Sequence, residues 1–486
     1  MNKPSIKKLS ELKKTDYKPE SVKKELSRNL ENKLKSGTPT FEFIHGYENT
    51  VIPDLERALL SGHNINLLGL RGQAKTKLAR QLIFLLDEWV PIIKGSEINE
   101  DPLNPISYEG KKIINEKGEE TPIDWIHRSE RFFEKLATPD VTVSDLIGDI
   151  DPIKAANLKL SYSDERSIHF GMIPRAHRSI FVLNELPDLQ ARIQVSLFSI
   201  LEEKEIQIRG FKIRLPIDIQ FIFTANPEDY TNRGSIVTPL KDRIGSQILT
   251  HYPLNINIAK RITEQESNIK EESLEKIYIP EIAKDLIEQV GFEAKKSEFV
   301  DLKSGVSARL SISAYENLIS TARRRLIING EKSTSVRLTD FLGTISSING
   351  KIELVYEGEL EGADQISFTL INNSILKTFN DIFPEIKKLK KEEESTPYDE
   401  ILLWFNKNDV FIGDDFTDKE YKDTIESIEP LNKLIKKYCS NINLDDSPFY
   451  KEIILWGLSA NKKLSKNRSL EGIEFKDSLG SFLNNI

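Results

Sequence analysis

Between the apolar run Asn64-Ile-Asn-Leu-Leu68 and a helical pattern that begins at Thr76 lies Gly69-Leu-Arg-Gly-Gln-Ala-Lys-Thr76. A glycine-rich turn that joins a strand directly to a helix belongs to a parallel sheet covered by helices. Such a turn aims successive backbone N–H groups at one point, and the helix N-terminus adds its dipole there, which suits a phosphate. Gly69, Gly72, Gln73, Ala74, Lys75 and Thr76 are therefore the candidate ATP-binding residues. Lys75 is placed to reach the β- and γ-phosphates, and the Thr76 hydroxyl to bind Mg²⁺. Ala74 stands where the pattern has its last glycine. Its Cβ costs on the order of 1 kcal/mol if the backbone takes φ > 0 there, but no N–H donor is lost.

Two further positions follow in the order such a site needs. The next buried strand, Ser179-Ile-Phe-Val-Leu183, runs into Asn184-Glu185. The Asn184 amide oxygen is expected to meet a metal-bound water without bringing charge, which weakens Mg²⁺ binding. Glu185 keeps the carboxylate that orients or deprotonates an attacking water. A third strand, Ile219-Gln-Phe-Ile-Phe-Thr224, leads to Asn226 in Thr224-Ala-Asn-Pro227. An amide there is positioned for the γ-phosphate or the water; read alone, Asn-Pro is a turn former.

Around these strands the chain reads as several parts, because 486 residues exceed one core. Residues 1–39 carry excess Lys and Arg, with Val22, Leu26, Leu30 and Leu34 at helical spacing, expected to lie on the main domain. Residues 40–253 form the nucleotide domain: a helix over 50–61, a helix from Thr76 to about Trp89, a polar insertion over about 95–130, and a hairpin over 205–215 around Gly210. A helical segment over 254–350 follows, with an apolar stripe at Ile312, Tyr315, Leu318, Ile319 and Ala322. Residues 351–373 read as a strand-like interlude, 387–396 as a solvated helix end or linker, and 397–486 as a small helical module.

Composition narrows the function classes. Net charge of −8 disfavours a nucleic-acid face. The single Cys439 excludes an internal disulfide, and His169 and His177 read as hairpin or turn residues rather than ligands. No stretch has membrane-spanning length and no secretory leader is legible, so the expected location is the cytoplasm.

Taken in order, Gly69–Thr76, Phe181–Glu185, the 205–215 hairpin, Thr224–Pro227 and Leu240-Lys-Asp-Arg243 resemble an AAA+ ATPase module over roughly residues 40–350. Within that group the likeness is to the MoxR proteins and the ATPase subunit of magnesium chelatase. Ile44-His-Gly46-Tyr47 resembles their short box near the adenine, Ala137–Gly148 their strand-two segment, and His169–Arg178 the run into the acidic strand. The resemblance implies an αβα nucleotide-binding domain, an α-helical lid and a small helical C-terminal module. It implies Gly46 beside the nucleotide, Arg243 as an arginine finger acting on a neighbouring subunit's phosphates, and Arg309 as a second sensor arginine; ordinary surface ion pairs are the plainer reading of both. A finger acting between subunits implies a ring, most often a hexamer, with the hairpin and the 155–178 segment as moving parts. By the same analogy the activity is chaperone-like remodelling or assembly of a partner protein, one with a von Willebrand A domain on another chain or a metal-insertion complex. Two readings from other classes stand beside it. A DNA-directed motor or transcription activator is opposed by the acidic balance and the lack of a helix-turn-helix pattern. An ATP-binding sensor with little turnover is favoured by Asn184.

Overall fold

Runs of Ile, Phe, Val and Leu too apolar to leave in water form a five-stranded parallel sheet. Its strands are β1 (Ile65–Leu68), β2 (Phe132–Leu136), β3 (Ser179–Asn184), β4 (Ile219–Ala225) and β5 (Ser246–Leu249). Their order across the sheet is β5-β1-β4-β3-β2. The computed structural model describes residues 3–157, 159, 164–208, 214–227, 235–301, 303–386, 396–469 and 471–478. The chain divides into two units, Met1–His251 and Tyr252–Ile486.

Side chains alternate across the sheet, so each strand serves two cores. On one face Ile180, Val182 and Ile222 pack with Val22, Leu26 and Leu30 of α1 (Val22–Ser36), Leu55 and Leu59 of α2 (Val51–Leu60), and Leu78 of α3 (Lys75–Gln81). On the other, Phe181, Leu183, Phe221 and Phe223 meet Ile193 and Leu197 of α4 (Ala191–Glu203) and Leu240 of α5 (Thr238–Arg243). The first unit is thus an αβα sandwich built on a parallel sheet, and the chain that follows is largely helical.

The N-terminal stripe behaves as its spacing predicts: Val22, Leu26 and Leu30 are buried and only Leu34 is exposed. Beneath it Glu25 takes both outer nitrogens of Arg131, at 2.7 and 2.6 Å, in a fully desolvated pair.

Several expectations need correction. The helix expected to reach Trp89 ends at Gln81 and continues only as a 3-10 turn over Leu82–Leu85; Trp89–Ile93 is a strand paired antiparallel with Ile123–His127. The polar insertion thus contributes a strand of its own and a helix, Tyr108–Lys117, capped by Ser107. The sheet strand near 137–148 is β2, just upstream. Its sequence Phe132-Phe-Glu-Lys-Leu136 covers an edge, so it is only half-buried and lacks a continuous apolar run. Most of 351–373 is helical, within Tyr356–Glu361 and Ala363–Ile382, because Ile366, Leu370, Ile371, Ile375 and Phe379 recur at the period of a helix and all are buried; of the expected strand only an isolated bridge from Leu354 to Val300 is found.

The second unit is built around α6 (Glu281–Ala294), α7 (Arg309–Asn329), α8 (Ala363–Ile382) and α9 (Ser447–Ala460). Its last part is more than a helical module, since β6 (Val410–Gly413), β7 (Leu464–Arg468) and β8 (Gly472–Asp477) form an antiparallel sheet in the order β6-β8-β7. One core runs from Ile277 through Leu318, Leu370 and Ile453 to Phe475, so no break in packing falls at residue 350, where lid and C-terminal module were expected to part. Most of the 387–396 linker lies outside the described residues. No helix among the described residues is long and apolar enough to cross a membrane.

Candidate nucleotide site

The C-terminal edge of a parallel sheet is where ligands bind in such folds, and the strand order decides what gathers there. β4 lies between β1 and β3, in register Leu68↔Ala225 and Phe223↔Leu183. The ends of these strands are the 69–76 turn, Asn226, and Asn184-Glu185. Residues as far apart in sequence as Gly69 and Asn226 thus lie along one edge.

The turn leaves β1 with the Gly69 N–H donating to the Ala225 carbonyl at 3.1 Å. A Cβ on Gly69 would collide with the side chains of Thr250 and Gln73, so glycine is required by space. Gly72 has φ +73° and Ala74 φ 55°, ψ 17°, so the alanine does occupy the left-handed region and carries the predicted strain. Lys75, first residue of α3, folds its ammonium over the turn, donating to the carbonyls of Gly69 and, at 2.8 Å, Leu70. Thr76 follows, half-buried, at the helix N-terminus.

Gln73 belongs to the frame of the turn. Its side-chain oxygen accepts from the Thr250 hydroxyl at 2.7 Å, while its backbone carbonyl accepts from the Tyr47 hydroxyl at 2.9 Å. The Tyr47 oxygen also lies 2.7 Å from the His251 carbonyl, so its one hydrogen is shared between the two carbonyls, and the ring meets that of His251 edge-on at 4.9 Å. Burial pushes the Tyr47 phenol up to about 12, which keeps it a donor at neutral pH. Gly46, beside it, has φ +84° and lets the chain turn into this contact.

At the end of β3, Glu185 is exposed and sits at φ 57°, ψ 49°, a conformation few non-glycine residues adopt. Its N–H donates to the Thr224 hydroxyl at 3.1 Å. Asn184 is buried; its amide oxygen accepts from the same Thr224 hydroxyl at 3.1 Å and its amide nitrogen donates to Glu134 at 2.7 Å. One lone pair of that oxygen remains for a metal-bound water, so the donor set of Thr76, Asn184 and phosphate oxygens fits Mg²⁺. Asn226 is buried at the end of β4.

Sequence reasoning missed Glu134, Thr224, Thr250 and Arg80, which donates to Glu134 at 2.8 and 3.2 Å. Alternation within Phe132–Leu136 puts Glu134 on the α3 side, but only once that segment is recognised as a strand.

The arginines fall elsewhere. Arg243 ends α5, over the Phe198 ring at 4.6 Å and paired with Glu202 at 3.0 Å and Asp242 at 2.8 Å. Arg309 is exposed and begins α7 in the second unit. Of the hairpin, Glu205–Gln207 and Arg214–Pro216 pair antiparallel, and 209–213 lie outside the described residues, as do 158 and 160–163 of the 155–178 segment. His169 lies in the strand Ile168–Phe170. His177 accepts from the Asp218 N–H at 3.0 Å, and burial pulls it down to about 3, so it stays neutral.

Residues 126–244 match the AAA domain family (dynein-related subfamily), a span that runs from before β2 to just beyond Arg243. Among solved structures, a putative ATPase from Cytophaga hutchinsonii is 16% identical, covering 72% of this chain and 95% of that one, with a TM-score of 0.30. NtrX from Brucella abortus in complex with ADP is 13% identical over 72% of this chain and 69% of that one, TM-score 0.39. A complex of the magnesium chelatase subunits BchI and BchD gives 16% identity, 65% and 97% coverage, and a TM-score of 0.33.

Proposed function

With an AAA domain in the first unit as premise, we propose that this chain is a Mg-ATP-dependent ATPase that assembles into a ring and remodels or assembles a partner protein. The observation that carries the reading is the convergence of Lys75 and Thr76, Asn184-Glu185 and Asn226 on one sheet edge, brought about by β4 lying between β1 and β3. In this reading the turn and Lys75 grip the terminal phosphates, Thr76 and Asn184 hold Mg²⁺ and its water, and Glu185 draws the proton from the attacking water. Asn226 reads the γ-phosphate; by the sequence resemblance, Arg243 is the arginine finger for a neighbouring subunit's phosphates and Arg309 the second sensor arginine. The partner's nature, a von Willebrand A domain protein or a metal-insertion complex, rests on the sequence resemblance.

Lys75→Ala is expected to abolish the heat of Mg-ATP binding, and Glu185→Gln to keep binding while phosphate release drops to background. Retained affinity in the first variant, or equal release from wild type and the second, would sink the assignment. The amide at Asn184 favours one second reading, a nucleotide sensor that binds ATP and turns over little; wild-type release near background alongside tight binding would select it. Capture by the Glu185→Gln chain in ATP is the route to the partner.

A further inference from the structure

The strands that carry the nucleotide site have a second set of ends. At the N-terminal edge of the sheet Asn64 leads into β1, His177 lies just before β3, and Asp218 immediately precedes β4, which runs between them. A cavity of about 340 Å³ opens there against Ile200, Ile217, Ile219 and Phe221, a size that suits a small ligand. Asn64 and His177 line it at only 9% and 6% exposure. The Asn64 oxygen accepts from the Phe221 N–H at 3.3 Å, which leaves the NH₂ end of its amide. His177 Nδ1 accepts from the Asp218 N–H at 3.0 Å, which puts the proton of the neutral ring on Nε2. Neither the NH₂ nor the Nε2–H has a partner among the described residues.

Two ammonium groups line the same cavity. Lys23 of α1 donates to the Gly62 carbonyl at 2.8 Å, and Lys204 follows the end of α4. Neither is in an ion pair among the described residues, and burial, then the nearby Lys204, pull the Lys23 ammonium down to about 8 against the pull of Asp218. Arg178 and Asp101 pair with each other at 3.3 Å, and Glu20 with Arg28 at 3.1 Å. Asp218 is the one lining carboxylate without a cation; one of its oxygens accepts from the Val22 N–H at 2.7 Å. Buried donors are ordinarily paired, so two neutral donors and two ammonium groups around one space mark a place for an oxyanion. We infer that this cavity is a second ligand site, for a small phosphate monoester. Lys23, Lys204, the Asn64 amide and the His177 Nε2–H take the phosphate oxygens, and Asp218 accepts from a hydroxyl of the ester. A phosphate dianion brings three oxygens and two charges to these donors, where a carboxylate brings two oxygens and one.

The site lies at the opposite end of the strands from the 69–76 turn, and the inference does not rest on the nucleotide reading. Glycerol 3-phosphate is titrated calorimetrically into the full-length chain carrying Lys75→Ala, so that the turn does not compete for the probe. Heat of binding is expected. Lys204→Met and Asn64→Asp, each added to that chain, should weaken binding about tenfold or more. Lys204 is exposed, so its replacement removes a charge without disturbing packing. Asn64→Asp keeps the oxygen that accepts from Phe221 and makes the other end repel an anion. Should Asn64→Asp fail to fold, Lys204→Met decides. Glycerol, which lacks the charge, should give no heat. No heat from glycerol 3-phosphate, or equal affinity with and without Lys204→Met, overturns the inference; tighter binding of succinate than of the phosphate ester overturns it too. A chain that binds no ATP would refute the nucleotide reading and leave this result standing.

Discussion

Ala74 is the one loop residue whose side chain works against its backbone. With φ at 55° it stores strain that glycine would not, and its Cβ is exposed, so nothing is lost in packing when it is removed. Ala74→Gly is expected to stabilise the chain by about 1 kcal/mol, minus the unfolded-state entropy glycine adds, and to leave ATP affinity intact; a drop in melting temperature would contradict this. The motif residues were legible singly because their chemistry is local: a turn, a lysine, an acid after an apolar run. Glu134 and Thr224 were not, because each matters through a partner 40 or 50 positions away.

At the scale of elements, α1 is joined to the sheet by more than its apolar stripe. Glu25 and Arg131 are both desolvated, Arg131 also donates to the Arg178 carbonyl at 2.9 Å, and Glu25 accepts from the Asp87 N–H at 2.7 Å. Removing one charge strands the other. Arg131→Met is expected to cost roughly 3–5 kcal/mol in urea unfolding, and adding Glu25→Leu to recover only part, since the Asp87 and Arg178 backbone groups stay unpaired. Full recovery by the double variant would show that those backbone groups find other partners. β3 and β4 were readable because burial is uniform along them, the stripe of α1 because it keeps one helical period, and the phosphate turn because its glycines and lysine mark it. β2, half-buried at an edge, and the helices of 351–373, rich in β-branched and aromatic residues, were misread where composition and period disagreed.

For the whole molecule, the second unit carries a buried acid with a measurable signature. Glu452 accepts from the Tyr421 hydroxyl at 2.9 Å and the Leu338 N–H at 3.0 Å, and burial raises its carboxyl from an ordinary 4.5 to about 7. A raised acid holds its proton in the folded state, so its contribution is present below about pH 4.5 and lost as pH climbs through 7. The loss amounts to roughly 3 kcal/mol, and Glu452→Gln should flatten that part of the stability–pH curve. Identical curves would place the titration elsewhere. For assembly, mixing Arg243→Ala with Glu185→Gln chains should restore part of the phosphate release that each alone lacks, if the finger works between subunits; no recovery would leave Arg243 an internal partner of Glu202. Length led to an expectation of two or three domains, and the shared core from Ile277 to Phe475 was not legible, because packing across residue 350 leaves no local mark.

Parity within β4 carries a last consequence. Side chains along Ile219–Ala225 alternate, and Thr224 points its hydroxyl to the side where Asn184 and the Glu185 amide wait. Adding or dropping a single residue just upstream would swing that hydroxyl to the opposite layer and bury a phenylalanine in its stead. Length changes in this strand are therefore tolerable only in steps of two.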